Sequence, residues 1–273
     1  MREYSSGPLA MFGCLLKNRD LVYAMAKRDA VGRYRGSILG LAWSFFNPLL
    51  TLVVYTFVFS VVFKARWAAD ADESRIDFAV ILFAGIIVYG IFAECVNRAP
   101  TIITTNTNYV KKVIFPLEVL PWIALFSALF HAFVSLCVLL TVQLALKGYI
   151  PPTVVLFPLV MAPLLLGVMG VSWALAALGV YLRDIGHVTG LLVTVMLYMS
   201  AVFFPISALP VRFQFWLTLN PLAMVIEQSR QVLIFGQIPD GRIWLTLMLI
   251  GYVVAWGGFA CFQKTRRGFA DVL

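Results

Sequence analysis

Six long apolar segments, separated by polar connections, dominate the pattern of this 273-residue chain. About twenty apolar residues in an α-helix span the roughly 30 Å hydrocarbon core of a bilayer. The pattern therefore predicts an all-α, polytopic membrane protein with six transmembrane helices. The predicted spans are residues 39–63, 78–97, 118–146, 154–181, 188–206 and 243–263.

Two further segments are partly apolar but are not predicted to cross the bilayer. Residues 9–35 predict an amphipathic helix in the membrane interface, and an ordinary solvated helix is the alternative. The predicted apolar face carries Leu21, Val22, Met25, Ala26, Ala30 and Tyr34, with basic residues on another face. Residues 207–242 are interrupted by prolines, so their short pieces are predicted to be re-entrant or interfacial extracytoplasmic helices before the last span.

The polar connections carry their basic residues unevenly. With the N-terminus inside, the inner connections hold 14 Lys and Arg residues and the outer connections hold 7. Basic residues concentrate on the cytoplasmic side of membrane proteins. Both termini are therefore predicted to be cytoplasmic, which gives an N-terminal segment (1–38), a transmembrane domain (39–263) and a tail (264–273). The net charge of +8 fits loops that face anionic lipid, and we expect no nucleic-acid partner.

Patterns for catalysis and metal binding are missing from the sequence. It contains no Gly-Lys dipeptide and therefore no G-x-x-x-x-G-K-[ST] phosphate loop, and its four cysteines lack metal-ligand spacing. We predict that the chain is not itself an enzyme and holds no catalytic residue, metal or cofactor of its own. Ionisable residues are sparse within the spans, with Glu94 and Glu118 near span ends, so energy for transport would come from another subunit.

Several aromatic residues lie deep in the first and fifth predicted spans, away from the interfaces where aromatic belts form. Flat aromatic faces can stack on the apolar faces of sugar rings without holding one sugar tightly. Packing against lipid or against the protein core is the alternative. The predicted channel residues are Trp43, Tyr55, Phe59, Tyr198 and Phe203.

Three arginines, which we call the basic collar (Arg28, Arg33 and Arg35), directly precede the first span. A guanidinium binds phosphate through two hydrogen bonds in a fixed fork. The flank of a first span is also commonly basic, so a topology signal is the alternative.

Glycines recur every fourth residue from Gly32 to Gly40, which predicts either a close-packing seam on one helical face or a softened helix start.

Four segments carry a family resemblance. They are Arg33–Ser37 with Leu39, Gly40, Trp43, Asn47 and Pro48; Asn108–Glu118; Gly179 with Tyr181–Ile185; and Phe204 and Pro205 with Asn220–Leu222, Glu227 and Arg230. In this order they resemble the ABC-2 type permeases that export bacterial surface polysaccharides, over about residues 15–265. The start looks closer to O-antigen and teichoic acid exporters than to group 2 capsule exporters, and the choice among the three stays open.

The resemblance implies partners and a location. It implies a second copy of this permease, two copies of a separate ABC ATPase that binds ATP and Mg, and the bacterial cytoplasmic (inner) membrane. The implied substrate is a polysaccharide built on a polyprenyl-diphosphate lipid. An ABC-2 permease for a small molecule, such as a drug or antibiotic, is the alternative, and a membrane enzyme or non-transporting scaffold is a third class.

Residue roles are expected from position within that resemblance. The basic collar would contact the lipid diphosphate, and the deep aromatics would contact the glycan. Coupling to the ATPase is expected from Asn108, Tyr109, Lys111 and Lys112, and gating of the exit from Glu227 and Arg230.

Overall fold

The computed structural model describes residues 7–33, 36–62, 67, 75–111 and 115–273, with only the backbone at 60, 61, 75–77 and 111. The described part of the chain is helical and contains no β-strand, as predicted. Its α-helices are α1 (Pro8–Lys17), α2 (Arg19–Gly32), α3 (Trp43–Tyr55), α4 (Arg75–Arg98), α5 (Thr107–Lys111), α6 (Leu120–Lys147), α7 (Phe157–Tyr181), α8 (Ile185–Met199), α9 (Val211–Thr218), α10 (Pro221–Arg230), α11 (Gly241–Thr265) and α12 (Phe269–Val272). Turns of π-helix continue α3 over Thr56–Val62 and α10 over Gln231–Phe235.

Among the described residues, five helical segments are long and apolar enough to cross a membrane. They are Gly40–Phe59, Phe78–Thr101, Leu117–Lys147, Pro152–Tyr181 and Gly241–Val272. Each overlaps a predicted span, because a long uninterrupted apolar run leaves little freedom in the assignment. The last segment extends beyond the predicted end at residue 263, since the helix continues through Thr265 and short helical turns follow it.

The predicted fifth span, 188–206, is shorter in the structure. Helix α8 has 15 residues, which corresponds to roughly 22 Å, and it ends at Met199. The last carbonyl group of α8 and two carbonyl groups of the turn after it accept hydrogen bonds from side chains of a later segment. Asn220 donates to the Met199 carbonyl at 2.9 Å, and Arg230 donates to those of Ala201 and Val202.

The predicted interfacial helix over 9–35 is in fact two helices. They meet at Asn18, whose backbone leaves the helical region and whose side chain donates to the Cys14 carbonyl at 2.8 Å. Of the predicted apolar face, Val22, Ala26 and Ala30 are buried, Leu21 and Met25 are half-buried, and Tyr34 lies outside the described residues. The glycine seam is wrong, because α2 ends at Gly32, and Gly36 and Gly40 have positive φ angles that end any regular helix between them. Gly40 donates from its backbone to the Ser37 hydroxyl instead.

Helices α7 and α11 form the tightest helix pair of the bundle. A Cβ on Gly258 would lie 1.9 Å from the carbonyl oxygen of Gly170, so the two backbones touch where only glycine fits. Trp173 fills the adjoining core, packs edge-on against Trp122 and Phe259, and donates from its indole to the Glu118 carbonyl.

Helix α3 is largely exposed. Only 11% of its most apolar stretch is buried, against 67% for α4, which runs through the centre of the bundle. Helix α8 is also exposed on one side, where Val188, Leu191 and Tyr198 face outward. The chain therefore leaves apolar side chains of both α3 and α8 uncovered.

Candidate functional site

Four of the five aromatics singled out in the sequence form one cluster around Phe203, in the turn after α8. The Phe203 ring lies 5.5 Å from Phe59, 5.7 Å from Tyr198 and 6.3 Å from Tyr55, measured between ring centroids. Tyr198 remains 60% exposed, so the cluster opens onto the outer surface of the chain. Trp43 is not part of it, because it lies twelve residues before Tyr55 on the same helix, roughly 18 Å away along the axis.

A polar cavity of about 280 Å³ lies between α3, α4 and α6, within the membrane-spanning part of the bundle. Such a cavity is unusual in a chain this apolar, and polar groups inside membrane proteins commonly line pathways. Its polar lining residues are Arg33, Ser44, Asn47, Thr51, Glu94, His131 and Ser135.

The cavity and the aromatic cluster share one face of the first span. Ser44, Asn47, Thr51, Tyr55 and Phe59 follow one another at intervals of three or four residues, which keeps them on one side of a helix. Over these residues the side chains change from polar to aromatic. The two sites therefore form a single strip, roughly 22 Å long, from the collar end of the bundle to its opposite end.

Helix α4 runs antiparallel along this strip and contacts both of its ends. Phe78, near the start of α4, packs against Phe59 at 5.9 Å between ring centroids. Glu94, near the end of α4, forms an ion pair with Arg33. Midway, the Tyr89 hydroxyl donates to the Val193 carbonyl at 2.9 Å and thereby ties α4 to α8.

Four charged residues connect helix α2 to α4 at the collar end. Arg98 donates two hydrogen bonds of 2.8 Å to the carboxylate of Asp29, one to each oxygen, and lies 3.5 Å from Glu94. Glu94 in turn pairs with Arg33. Burial acts to raise the pKa of Asp29, but the hydrogen bonds from Arg98 and Ser127, together with the positive charges of Arg98 and Arg33, hold that pKa below its usual value. The network fixes α2 against the mouth of the cavity.

The structure separates the members of the basic collar. Arg33 lines the polar cavity, whereas Arg28 points elsewhere and lies at hydrogen-bond distance, 3.5 Å, from the hydroxyl of Tyr109. Arg35 lies outside the described residues. A shared contact of all three with one ligand stays a prediction.

The residues predicted to couple to an ATPase lie on or beside the short helix α5. Tyr109 stacks on Phe115 with ring centroids 4.4 Å apart, and Asn108 is exposed. Only the backbone of Lys111 is described, and Lys112 lies outside the described residues. A short helix between the second and third spans is thus present, and its docking role stays a prediction.

Glu227 and Arg230, the predicted exit-gate pair, face each other at 3.6 Å, one turn apart on α10. Arg230 is completely buried, donates to the carbonyls of Ile81, Ala201 and Val202, and lies over the Trp67 ring. These contacts hold the first part of α4 and the turn after α8 against α10. Whether the pair also gates an exit stays a prediction.

Several residues of the strip were not expected from the sequence. The spacing of Ser44, Asn47 and Thr51 could have predicted part of the cavity. Three polar residues on one face of an apolar span indicate that this face lines a polar space. The pair Asp29 and Arg98 gave no such signal, since 69 residues separate them. No group of three or more His, Cys, Asp or Glu residues suited to a metal occurs in the described part of the chain.

A known family of membrane transporters matches most of the chain. The ABC-2 type transporter family matches residues 20–234, which is more than half of the chain. The chain belongs to the ABC-2 type transporter family. The match spans the strip, the charged network, α5 and α10.

Individual ABC-2 relatives are similar over nearly their whole length. The O-antigen export system permease protein RfbA of Myxococcus xanthus is 27% identical over 94% of this chain and 96% of its own length. A protein of the same name from Klebsiella pneumoniae is 26% identical over 93% of this chain and 95% of its own. The polysialic acid transport protein KpsM of Escherichia coli is 25% identical over 88% of this chain and 90% of its own.

Proposed function

We propose that this chain is the permease subunit of an ABC exporter that moves a polyprenyl-diphosphate-linked polysaccharide across the bacterial inner membrane. The observation that carries the proposal is the strip on α3, in which a polar cavity continues into an aromatic cluster. The relatives are named for O-antigen and polysialic acid export, which favours a polysaccharide over the small-molecule alternative. ATP and Mg would be bound by a separate ATPase subunit.

The strip suits a sliding polymer. Aromatic faces hold sugars by stacking, and because Tyr55, Phe59, Tyr198 and Phe203 stand close together, a glycan can pass from one ring to the next without a strong single contact. The hydroxyl and amide groups of the cavity offer replaceable hydrogen bonds to sugar hydroxyls in the same way. Tight recognition of one sugar would slow such movement.

The lipid diphosphate would reach the strip at the collar end. The Arg33 side chain is 42% exposed and forms an ion pair with Glu94. An arriving phosphate can replace Glu94 as the partner of the Arg33 guanidinium, while Glu94 keeps its contact with Arg98. Arg28 and Arg35 would assist from the same end.

Two copies of the chain would enclose the channel between their exposed α3 and α8 faces. In this arrangement both termini are cytoplasmic, α8 serves as a short sixth crossing together with the turn that follows it, and α9 and α10 re-enter from the outer side. Helices α9 and α10 have 8 and 10 residues, too few to cross a bilayer alone. Movement of the ATPase would reach the strip through α5, since Tyr109 contacts Arg28 of α2.

Export of surface polysaccharide by Tyr198→Ala tests the proposal. Tyr198 is 60% exposed, so its truncation should leave folding intact while removing one wall of the aromatic cluster. Phe133→Ala is the matched control, because Phe133 is 64% exposed on α6 and points away from the cavity residues His131 and Ser135. We expect export to fall several-fold for Tyr198→Ala alone. Equal export by the two variants at equal membrane abundance would contradict the proposal.

A further inference from the structure

A second cavity lies along α2, and none of the four residues of the charged network lines it. It is a groove of about 640 Å³ between α2 and α6, within the roughly 300–1,000 Å³ range typical of ligand sites. Phe126 and Phe130 of α6 and Leu41 before α3 form apolar walls. None of the aromatic strip residues lines it, so it is separate from the proposed channel.

The groove combines this apolar lining with positive charge. Arg19 and Lys27, both exposed on α2, are the basic residues that line it, and they lie eight residues apart, roughly 12 Å along the helix axis. The Arg19 side chain also lies 3.7 Å from Asp20, an exposed pair that adds little stability. No acidic residue lines the groove among the residues that the structure describes.

The apolar wall continues from the groove along the outer surface of a membrane-spanning helix. Phe126, Phe130 and Phe133 stand at intervals of four and three residues on α6 and are 39%, 37% and 64% exposed. A ligand in the groove would therefore place a long apolar portion against these rings and an anionic portion beside Arg19 and Lys27. This pairing of a hydrocarbon chain with a phosphate is the chemistry of a phospholipid.

We propose that this groove binds an anionic phospholipid of the surrounding membrane, with one acyl chain against Phe126 and Phe130 and its phosphate between Arg19 and Lys27. The site would fasten α2 to the bilayer through residues that are not part of the strip. The proposal does not depend on which substrate the protein exports.

Lipid retention by the purified full-length chain, measured by native mass spectrometry, tests the proposal. The probe is phosphatidylglycerol in competition with phosphatidylcholine, in mixed micelles of fixed composition. A basic residue near an anionic surface contributes about 1 kcal/mol, which corresponds to roughly a fivefold change in binding. We therefore expect Lys27→Ala to lower the ratio of bound phosphatidylglycerol to phosphatidylcholine about fivefold and Arg19→Ala/Lys27→Ala to lower it further, whereas Lys27→Arg should preserve it.

Two further variants separate a built site from general attraction. Lys17→Ala removes an exposed cation that does not line the groove, and should leave the ratio unchanged. Val31→Trp fills the groove from α2 with all charges in place, and should reduce retention of both lipids. Wild-type ratios in Arg19→Ala/Lys27→Ala, or an equal loss in Lys17→Ala, would overturn the proposal. So would recovery of a polyprenyl lipid, a second copy of the chain or another protein, instead of phospholipid, as the species displaced by Val31→Trp.

Discussion

Two adjacent glycines of α11 allow a sharp test of the helix packing. Gly258 faces α7, and a Cβ there would lie 1.9 Å from the Gly170 carbonyl oxygen, whereas a Cβ on Gly257 meets nothing within 4 Å. Ordinary van der Waals contact begins at 3.4 Å. Gly258→Ala would therefore require α7 and α11 to move apart by roughly 1.5 Å, the difference between these two distances.

The size of the effect follows from two opposing contributions. Overpacking of a well-packed core costs typically about 1–3 kcal/mol, and here the obstacle is backbone, which cannot rotate away. Replacing glycine by alanine inside a helix stabilises it by about 0.8–1.0 kcal/mol. We expect Gly258→Ala to destabilise the protein by about 2 kcal/mol, since the backbone clash is severe, and Gly257→Ala to be neutral or slightly stabilising.

Thermal unfolding of the two variants in the same detergent, followed by tryptophan fluorescence, measures the difference. A loss of about 2 kcal/mol lowers the midpoint temperature by roughly 5 °C for a chain of this size. Trp173 lies in the core beside the α7–α11 contact, so its emission reports on that region. A Gly258→Ala midpoint equal to or above that of Gly257→Ala would refute the close packing of the two helices.

Three further predictions concern charged and coupling residues. Arg230→Leu should destabilise the protein by about 3–5 kcal/mol, because it leaves Glu227 and three carbonyl groups without their partner; stable, well-folded protein with defective export would instead favour a gating role. Asp29→Asn should destabilise the protein at pH 7, because it weakens the contacts with Arg98. Since the pKa of Asp29 is lowered in the folded protein, the difference in unfolding free energy between wild type and variant should persist down to pH 3.8. Unfolding measurements should show this difference vanish only as the pH falls further. A cysteine at Tyr109 should cross-link to the ATPase subunit in isolated membranes, and the absence of a cross-link from every position between 100 and 112 would contradict the coupling role of this segment.

The long spans were predictable from the sequence because each is one continuous apolar run. The bounds of α4, α6 and α7 lie within a few residues of the predicted ones at most ends. The local breaks were not predictable in the same way. Helix α8 ends early, where Asn220 binds the Met199 carbonyl and Arg230 binds the Ala201 and Val202 carbonyls of the turn that follows, and both side chains come from more than twenty residues later.

Some residues of the candidate site could likewise be predicted from the sequence, and others could not. The aromatic residues could be named from their depth in the spans, since depth is a property of position along one helix. The charged network could not be named, because Arg98 and Asp29 are brought together only when α2 packs against α6 beside the end of α4. The spacing of polar residues within the first span was an intermediate case. It indicated which face of α3 lines a cavity, but not which residues of α6 complete that cavity.

Photo-cross-linking of the glycan tests the central claim most directly. A photoreactive amino acid would replace Tyr198 in the aromatic cluster or Phe133 on the outer surface of α6, in membranes that contain the ATPase and lipid-linked polysaccharide. The account predicts a glycan adduct at Tyr198 that depends on ATP, and none at Phe133. Adducts at Phe133 but not at Tyr198, with both variants folded and inserted, would contradict the claim that the polysaccharide passes along the α3 and α8 face.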